Sequence, residues 1–308
     1  MKPVICIGAA IIDDSFFCTD EPLPRTSNPA TRLRSAGGVA LNVAHHLAQI
    51  GNPVELITHF GIDADGIWLK EVSASAGIGI SHSRTTTTGT GHFGGILSPS
   101  GELYAGAADT HLEEEITVSF LSQQTDILES ASLILIDCNL SIACISWLLD
   151  FCADHEVSCV IEPVSVSKAS RLRDVNLEDV LLITPNEAEL AAISRHVLRS
   201  DSRTRVEQLF DRGVRNVWVR RGKEGSELFS HDETVMLSAP NVKVADTTGA
   251  GDAAMAGWIH AWLQGKSIRE CMLYGHALAE IILQTRGTHS DRLDVQRMEE
   301  AVQRLRVQ

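Results

Sequence analysis

The sequence has no long hydrophobic run: no apolar stretch approaches the roughly 20 residues that a helix needs to cross a bilayer. The N-terminal stretch Met1–Gly8 lacks the apolar region and the cleavage site of a signal peptide, and we interpret it as a buried strand. Positive charge is scarce, since 26 Lys and Arg oppose 40 Asp and Glu, for a formal net charge of −14. This balance argues against general binding to nucleic acid or to a membrane surface, because both attract basic patches.

Paired cysteines are also lacking. The seven cysteines are an odd number and form no Cys-x-x-Cys motif. Most fall in apolar strand or helix patterns (Cys6, Cys138 and Cys159, for example), as buried and reduced thiols do, which favours the cytoplasm. With 44% hydrophobic and 21% charged residues, the composition is typical of a globular protein. No repeat, low-complexity tract or linker divides the 308 residues, so we predict one domain over residues 1–308.

Apolar runs of strand length alternate with helical patterns along the chain. The strand-like runs are Val4–Ile7, Val54–Thr58, Leu133–Asp137, Ser158–Glu162, Val180–Thr184, Asn216–Arg220 and Glu227–Ser230. The helical patterns are Val39–Ile50, Ile67–Ala76, Ile142–His155, Glu187–Arg195 and Arg203–Arg212. This alternation predicts an α/β fold with a mostly parallel central sheet and helices on both of its faces. Ligands of such sheets bind at the carboxyl ends of the strands.

Two stretches, residues 13–36 and 82–107, do not fit the alternation. The first contains three prolines and no helical period, and the second is rich in threonine and turns at Pro99-Ser100-Gly101, which is typical of a hairpin. Together they predict a small β-sheet that acts as a lid and excludes water, a competing nucleophile. An exposed edge of this sheet could pair with a second copy in a homodimer. The alternative is an ordinary edge hairpin.

The most informative stretch is Asp246–Asp252, a glycine-rich turn that precedes a helical pattern. Unpaired N–H groups at a helix start attract anions, and glycines let a phosphate approach them. We therefore predict an anion cradle at Gly249, Ala250 and Gly251. The carboxylate of Asp252 would repel a phosphate there unless it takes the proton of an attacking hydroxyl. The alternative is that Asp252 only caps the helix.

A second candidate group precedes the first long helical pattern. Gly37 and Gly38 would let the backbone approach a ligand, and Asn42 lies about one helical turn further on. Asp13, just after the first strand, could accept hydrogen bonds from a vicinal diol. Paired glycines ahead of a helix are otherwise an ordinary loop.

A third group is predicted where two later strands end. Asn186 and Glu189 share a face at a helix start and could hold a hydrated Mg²⁺, although an N-cap with an acidic first turn is the commoner interpretation of such a string. Arg220 and Arg221 begin a turn that runs through Gly222 and Gly225, and either guanidinium could reach a nucleotide phosphate. Such basic turns are otherwise simply solvated.

Together these motifs resemble the ribokinase-like (PfkB) family of carbohydrate and nucleoside kinases over nearly the whole chain. The matching segments are Gly37-Gly38 with Asn42, His59–Gly66, Asn186 with Glu189, the turn Gly222–Gly225 and Asp246–Asp252. The resemblance implies a Rossmann-like three-layer sandwich that transfers the γ-phosphate of ATP to a primary hydroxyl. Its partners would be ATP and a small nucleoside or sugar, with no nucleic acid or membrane.

The resemblance also implies a role for each candidate residue. Asp252 would be the general base, and the anion hole would be Gly249, Ala250 and Gly251. The ligands of the ribose hydroxyls would be Asp13, Gly38 and Asn42. Asn186 and Glu189 would serve the triphosphate and Mg²⁺, with Glu189 acting through water. A monovalent cation such as K⁺ would be bound by Asp246 and the carbonyl of Thr248, with carbonyls near Gly287 and Ser290.

Within the family, the likeness is to kinases of pseudouridine. It is carried by Asp137–Leu140, Trp147, Pro163–Ser165 with Lys168, and Ala108–Leu112. The chain departs from that subgroup at Ala40-Leu41, where we expect Gly-Arg, at Glu162, where aspartate is usual, and at Arg220, where a small hydroxyl residue is typical. A kinase of a free sugar such as ribose or fructose is the nearest alternative. A binding protein that has lost catalysis is a third.

Overall fold

The computed structural model describes residues 2–194 and 201–307. Its strands are β1 Val4–Ile7, β2 Ile11–Cys18, β3 Ala30–Gly37, β4 Val54–Ile57, β5 His59–Gly61, β6 Arg84–Thr86, β7 His92–Leu97, β8 Leu103–Asp109, β9 Leu133–Asp137, β10 Cys159–Glu162, β11 Leu182–Ile183, β12 Asn216–Arg220, β13 Ser226–Ser230 and β14 Thr234–Leu237. Its helices are α1 Val39–Gln49, α2 Ala64–Ser75, α3 Leu112–Glu115, α4 Val118–Leu121, α5 Thr125–Glu129, α6 Ile142–Asp154, α7 Val166–Ala169, α8 Glu187–Ile193, α9 Ser202–Phe210, α10 Ala250–Leu263, α11 Ile268–Leu283 and α12 Val295–Leu305.

The chain divides into two compact units. The first unit comprises Met1–Gly8 and Ile116–Ala239, and the second comprises Ala9–Glu115 and Pro240–Gln308. The expectation of one domain over residues 1–308 stays a prediction. The predicted helix Glu187–Arg195 ends at Ile193, and its last residue lies outside the described ranges.

The first unit is built on a large sheet with the strand order β14-β13-β12-β11-β10-β9-β1. From β1 to β12 all neighbours are parallel, whereas β12, β13 and β14 pair antiparallel. Strands such as β9 are buried along their whole length, as expected when both faces of a parallel sheet are covered. The predicted α/β fold with a mostly parallel sheet is confirmed. Glu162 pairs with Asp137 at the carboxyl ends of β10 and β9, where ligands of such sheets bind.

The second unit contains a smaller, separate sheet with the order β3-β2-β7-β8. Both predicted stretches contribute to it, and the hairpin turns at Pro99-Ser100-Gly101 as expected. The threonine-rich start of residues 82–107 is an exception, because β6 pairs in parallel with β5 in a separate two-stranded sheet. Every residue of the edge strand β8 is exposed.

The helices α10 and α11 pack closely in the second unit. A Cβ atom added at Gly257 would lie 2.4 Å from the carbonyl oxygen of Tyr274, so glycine is required at this crossing. No helix in the described part of the chain combines the length and the apolar character of a membrane span. None of the seven cysteines forms a disulfide, and all are buried; burial is the main cause that raises the pKa of Cys271 to about 12.

Candidate active site

The helix α10 starts at a glycine in a conformation that other residues rarely adopt. Gly249 is its N-cap, with φ 76° and ψ −4°, and a Cβ atom there would lie 3.0 Å from the Cα of Thr288. The N–H of Ala253 donates to the carbonyl of Gly249 at 2.9 Å, in the first turn of the helix. The N–H of Gly251 lies before this bond in the chain and has no carbonyl of the helix to which it can donate. The backbone of the predicted cradle therefore lies at the positive end of a helix of 14 residues.

Asp252 lies in the first turn of α10, whereas the N-cap is Gly249. Its Oδ2 accepts a hydrogen bond of 2.7 Å from Nδ2 of Asn42 on α1. The carbonyl oxygen Oδ1 of Asn42 is buried and has no hydrogen-bond partner among the residues that the structure describes. An unpaired buried acceptor is costly, by about 1–3 kcal/mol, so a donor from a ligand would be favoured at this atom.

The paired glycines admit both a buried carboxylate and a close chain crossing. A Cβ atom at Gly37 would lie 2.1 Å from Oδ2 of Asp13, and one at Gly38 would lie 2.3 Å from the carbonyl oxygen of Ala9. Asp13 is 7% exposed. Burial, and to a lesser extent the charge of Asp14, raises the pKa of Asp13 to about 7. The carboxylate of Asp13 is thus held against the glycine pair that precedes α1, the helix that carries Asn42.

Asp246 ties two loops together behind the cradle. Its Oδ1 accepts hydrogen bonds from the N–H and the hydroxyl of Thr248 at 2.9 and 2.8 Å. Its Oδ2 accepts one from the N–H of Gly287 at 2.9 Å. The hydroxyl of Thr288 donates to the carbonyl of Ala36, next to the paired glycines. The loop after α11 therefore holds the start of α10 and the glycine pair in register.

The first unit holds the predicted nucleotide residues. Asn186 and Glu189 form a capping box at α8, in which the side chain of each accepts a hydrogen bond of 2.9 Å from the backbone N–H of the other. The N-cap alternative is therefore confirmed as the local structure. The box uses Oε2 of Glu189 and leaves Oε1 outside it. Burial and the charge of Glu162 raise the pKa of Glu189.

Both arginines of the turn after β12 have carboxylate partners. Arg220 donates from Nη2 to Oε1 of Glu162 at 2.6 Å. Arg221 pairs with Glu187 at 2.7 Å and with Glu227 at 2.6 Å. Their side chains are only 20% and 22% exposed, so the alternative of a merely solvated turn is wrong.

The glycines of the same turn have different environments. Gly225 has φ 93°, and a Cβ atom there would lie 2.1 Å from the carbonyl oxygen of Leu237. Gly222 has φ 54°, and a Cβ atom there would meet nothing within 4 Å. Both adopt the left-handed region, which fixes the tight return of the chain from β12 to β13.

The predicted residues thus gather into two groups, one in each unit. The structure brings together Asp13, Gly37, Gly38, Asn42, Asp246, Thr248, Gly249, Ala250, Gly251 and Asp252 in the second unit. It brings together Asn186, Glu189, Arg220, Gly222 and Gly225 in the first. The contacts between Asn42 and Asp252 and between Glu162 and Arg220 were not predicted, because nothing in the spacing signals them. In the part of the chain that is described, no three His, Cys, Asp or Glu side chains converge as metal ligands would.

Comparison with known proteins identifies the family of the chain. The pfkB carbohydrate kinase family matches residues 1–294. Pseudouridine kinase of Escherichia coli K12 is 27% identical over 296 residues, which cover 95% of this chain and 94% of the relative. An uncharacterized sugar kinase of the same organism, YeiI, is 31% identical over 259 residues, or 83% of this chain and 71% of the relative.

Solved structures share the fold. Arabidopsis thaliana ribokinase, complexed with ribose and ATP, superposes with a TM-score of 0.80 over 98% of each chain. At 22% identity, this likeness shows that the fold is shared. The resemblance stated from the sequence motifs is confirmed. The chain therefore belongs to the PfkB family of carbohydrate kinases, phosphotransferases whose acceptor is a hydroxyl group.

Proposed function

We propose that the protein is an ATP-dependent kinase that phosphorylates the 5′-hydroxyl of pseudouridine, giving pseudouridine 5′-phosphate. The observation that carries the kinase chemistry is the carboxylate of Asp252 at the start of α10, fixed by Asn42 at 2.7 Å beside the glycine cradle. The choice of pseudouridine is supported by the similarity to the Escherichia coli pseudouridine kinase along 95% of the chain.

The mechanism follows from the charges. Asp252 accepts the proton of the acceptor hydroxyl, whose oxygen forms a bond to the γ-phosphorus as the bond to the β–γ bridging oxygen breaks and ADP leaves. The N–H groups at Gly249, Ala250 and Gly251 would bind the oxygens of the moving phosphoryl group, that of Ala250 in exchange for its long hydrogen bond of 3.4 Å to the carbonyl of Thr247. Phosphoryl transfer needs alignment and neutralisation more than covalent help, which is what a helix N-terminus supplies.

Two cations belong to the proposal. Mg²⁺ would be held through water by Oε1 of Glu189, next to Asn186, because it favours carboxylate and water ligands and substrate phosphates. When bound, Mg²⁺ would neutralise part of the negative charge of the triphosphate. K⁺ would bind near Asp246 and the carbonyl of Thr248, where it would add to the order of the cradle. The carboxylate of Asp246 already accepts three hydrogen bonds, so the carbonyl would be the principal ligand.

Acceptor binding should depend on pH through Asp13. Its carboxylate must be ionised to accept hydrogen bonds from a diol, and its pKa is raised to about 7. The acceptor should therefore bind about tenfold more weakly at pH 6 than at pH 8, with a plateau above pH 8. Calorimetry on the Asp252→Asn variant measures this without a contribution from the base. Asp14→Asn, which removes a neighbouring charge, should move the profile to lower pH. A flat profile would exclude Asp13 from acceptor binding.

The small sheet is proposed to be the lid, which closes over bound nucleoside and excludes water. Amide hydrogens of residues 82–107 should exchange more slowly when pseudouridine is present, as measured by mass spectrometry. Amides of α12 serve as the internal reference and should be unchanged. Equal exchange of residues 82–107 in both samples would contradict a lid.

The exposed strand β8 is proposed to pair with a second copy in a homodimer, because its backbone groups form an open sheet edge. We place the enzyme in the cytoplasm, which the seven free and buried thiols support.

A sugar kinase of the same fold is the second candidate. It is favoured by the complete burial of Ala40 and Leu41, which leaves no side chain there to reach a nucleobase. The 31% identity to YeiI also agrees with it. A binding protein without catalysis is disfavoured, because it would need no carboxylate beside the cradle.

An activity screen separates the three. ATP and Mg²⁺ are combined with pseudouridine, uridine, adenosine, ribose and fructose, and ADP release is measured. The proposal expects the highest kcat/KM with pseudouridine. Preference for ribose or fructose selects the sugar kinase, and binding without turnover selects the third candidate.

A further inference from the structure

A chain of polar contacts crosses the carboxyl ends of three neighbouring strands in the first unit. The hydroxyl of Thr184, just after β11, donates to Oε2 of Glu162 at 2.5 Å. Nη2 of Arg220, at the end of β12, donates to Oε1 of the same carboxylate at 2.6 Å. Glu162 and Thr184 are buried. Both oxygens of a buried carboxylate are thus satisfied by donors from the next two strands.

The backbone of Arg220 is fixed at the same place. Its N–H donates to the carbonyl of Pro185 at 2.9 Å, and the residue forms a parallel bridge with Asn186. The main chain of Arg220 therefore lies beside the N-cap of α8, while its side chain reaches back across β11 to Glu162. Arg220 is thus held at its backbone and at its guanidinium, and its side chain remains 20% exposed.

The charges around Arg220 explain why a fixed guanidinium is useful at this place. Glu162 and Glu189 are both buried carboxylates, and each would repel a triphosphate at the start of α8. The charge of Glu162 raises the pKa of Glu189, and Arg220 opposes this rise. The guanidinium of Arg220 pairs with Glu162, offsets the charge of both carboxylates and presents planar N–H donors, which match phosphate oxygens.

We propose that Glu162 is a positioning residue that fixes the guanidinium of Arg220 for binding the phosphates of ATP, an inference that rests on the proposed kinase function. Glu162 and Arg220 are also two of the positions at which the sequence departs from the pseudouridine kinase pattern. The two unusual residues therefore form one ion pair with each other. We expect that replacing either residue alone weakens the binding of ATP.

A double-mutant cycle tests the coupling, with ATP binding measured by calorimetry and the KM values for ATP and the acceptor measured separately. Arg220→Met should weaken ATP binding by about 10- to 100-fold, because charge-assisted hydrogen bonds to phosphate are lost. Glu162→Gln should weaken it about tenfold, because a neutral amide accepts the hydrogen bond of the guanidinium less strongly than a carboxylate and holds it less firmly. The double variant should bind no more weakly than Arg220→Met. The KM of the acceptor should stay unchanged in all three.

Three further variants separate positioning from folding. Arg220→Lys keeps the charge without the planar fork and should recover part of the affinity. Thr184→Val removes one hydrogen bond to Glu162 and should have a smaller effect than Glu162→Gln. Arg215→Met, the matched control, breaks an exposed ion pair with Asp179 at the other end of β12 and should leave ATP binding unchanged.

The outcomes distinguish this inference from the proposed function. Single-variant effects on ATP binding that multiply in the double variant would overturn the coupling, as would wild-type ATP binding in Glu162→Gln. Loss of ATP binding that follows only a lowered melting temperature, with no recovery in Arg220→Lys, would reduce the pair to a structural role. Wild-type protein that binds no ATP would overturn the kinase proposal itself.

Discussion

Replacement of Asp252 by asparagine should lower kcat by about 10²–10⁴-fold, the range expected for the loss of a general base. The amide oxygen that replaces the carboxylate can still accept the hydrogen bond from Asn42, so the local packing should persist. Acceptor binding should therefore remain close to that of the wild type. Steady-state kinetics and calorimetry on the same preparation measure both quantities.

A matched control separates proton removal from helix electrostatics. Asp126 also lies in the first turn of a helix, α5, and it is exposed. Asp126→Asn removes a carboxylate from the first turn of a different helix and should leave kcat unchanged. Near-wild-type turnover in Asp252→Asn would show that another group, or water, takes the proton.

Asp246→Asn is the second change with a large expected effect. The carboxylate accepts three hydrogen bonds, two at Oδ1 and one at Oδ2. In either orientation, the amide group of asparagine places its NH₂ against at least one backbone N–H. We expect a loss of about 1.5–3 kcal/mol in the free energy of unfolding, the usual value of a hydrogen bond to a charged group. We also expect kcat to fall about 10²-fold, because displaced donors at an anion hole cost that much.

Denaturant unfolding and steady-state kinetics measure these two losses independently. Asp294→Ala is the control: it removes the N-cap side chain of α12, which accepts a hydrogen bond from the N–H of Arg297 at 2.8 Å. It should lower stability by about 1 kcal/mol and leave kcat unchanged. A kcat for Asp246→Asn that matches the wild type would show that the loop after α11 does not order the cradle.

The core of the fold could be predicted because its signals are local. Leu133–Asp137 and Asn216–Arg220 are strands with the predicted bounds, since a strand buried on both faces is a continuous apolar run. Val180–Thr184 is shortened to Leu182–Ile183 in the structure, because parallel pairing with β10 involves only those two residues. Such details depend on register, which single-strand patterns do not encode.

The site was predictable in its parts and not in its contacts. The stretch Asp246–Asp252 carries its own signal, because a glycine turn and the helix that follows it are adjacent in sequence. The partner of Asp252 lies 210 residues away, and the partner of Arg220 lies 58 residues away. In the sequence, Glu162 and Arg220 are two separate differences from the pseudouridine kinase pattern. Only the pairing of β10, β11 and β12 reveals that they are one ion pair.

The enclosure of all seven thiols makes the protein convenient for spectroscopy. A maleimide dye needs an accessible thiolate, and burial denies it one in the folded chain. A Tyr104→Cys variant would place one reactive thiol on β8, where that side chain is 49% exposed. A fluorophore attached there would report on this strand with every native thiol left in place.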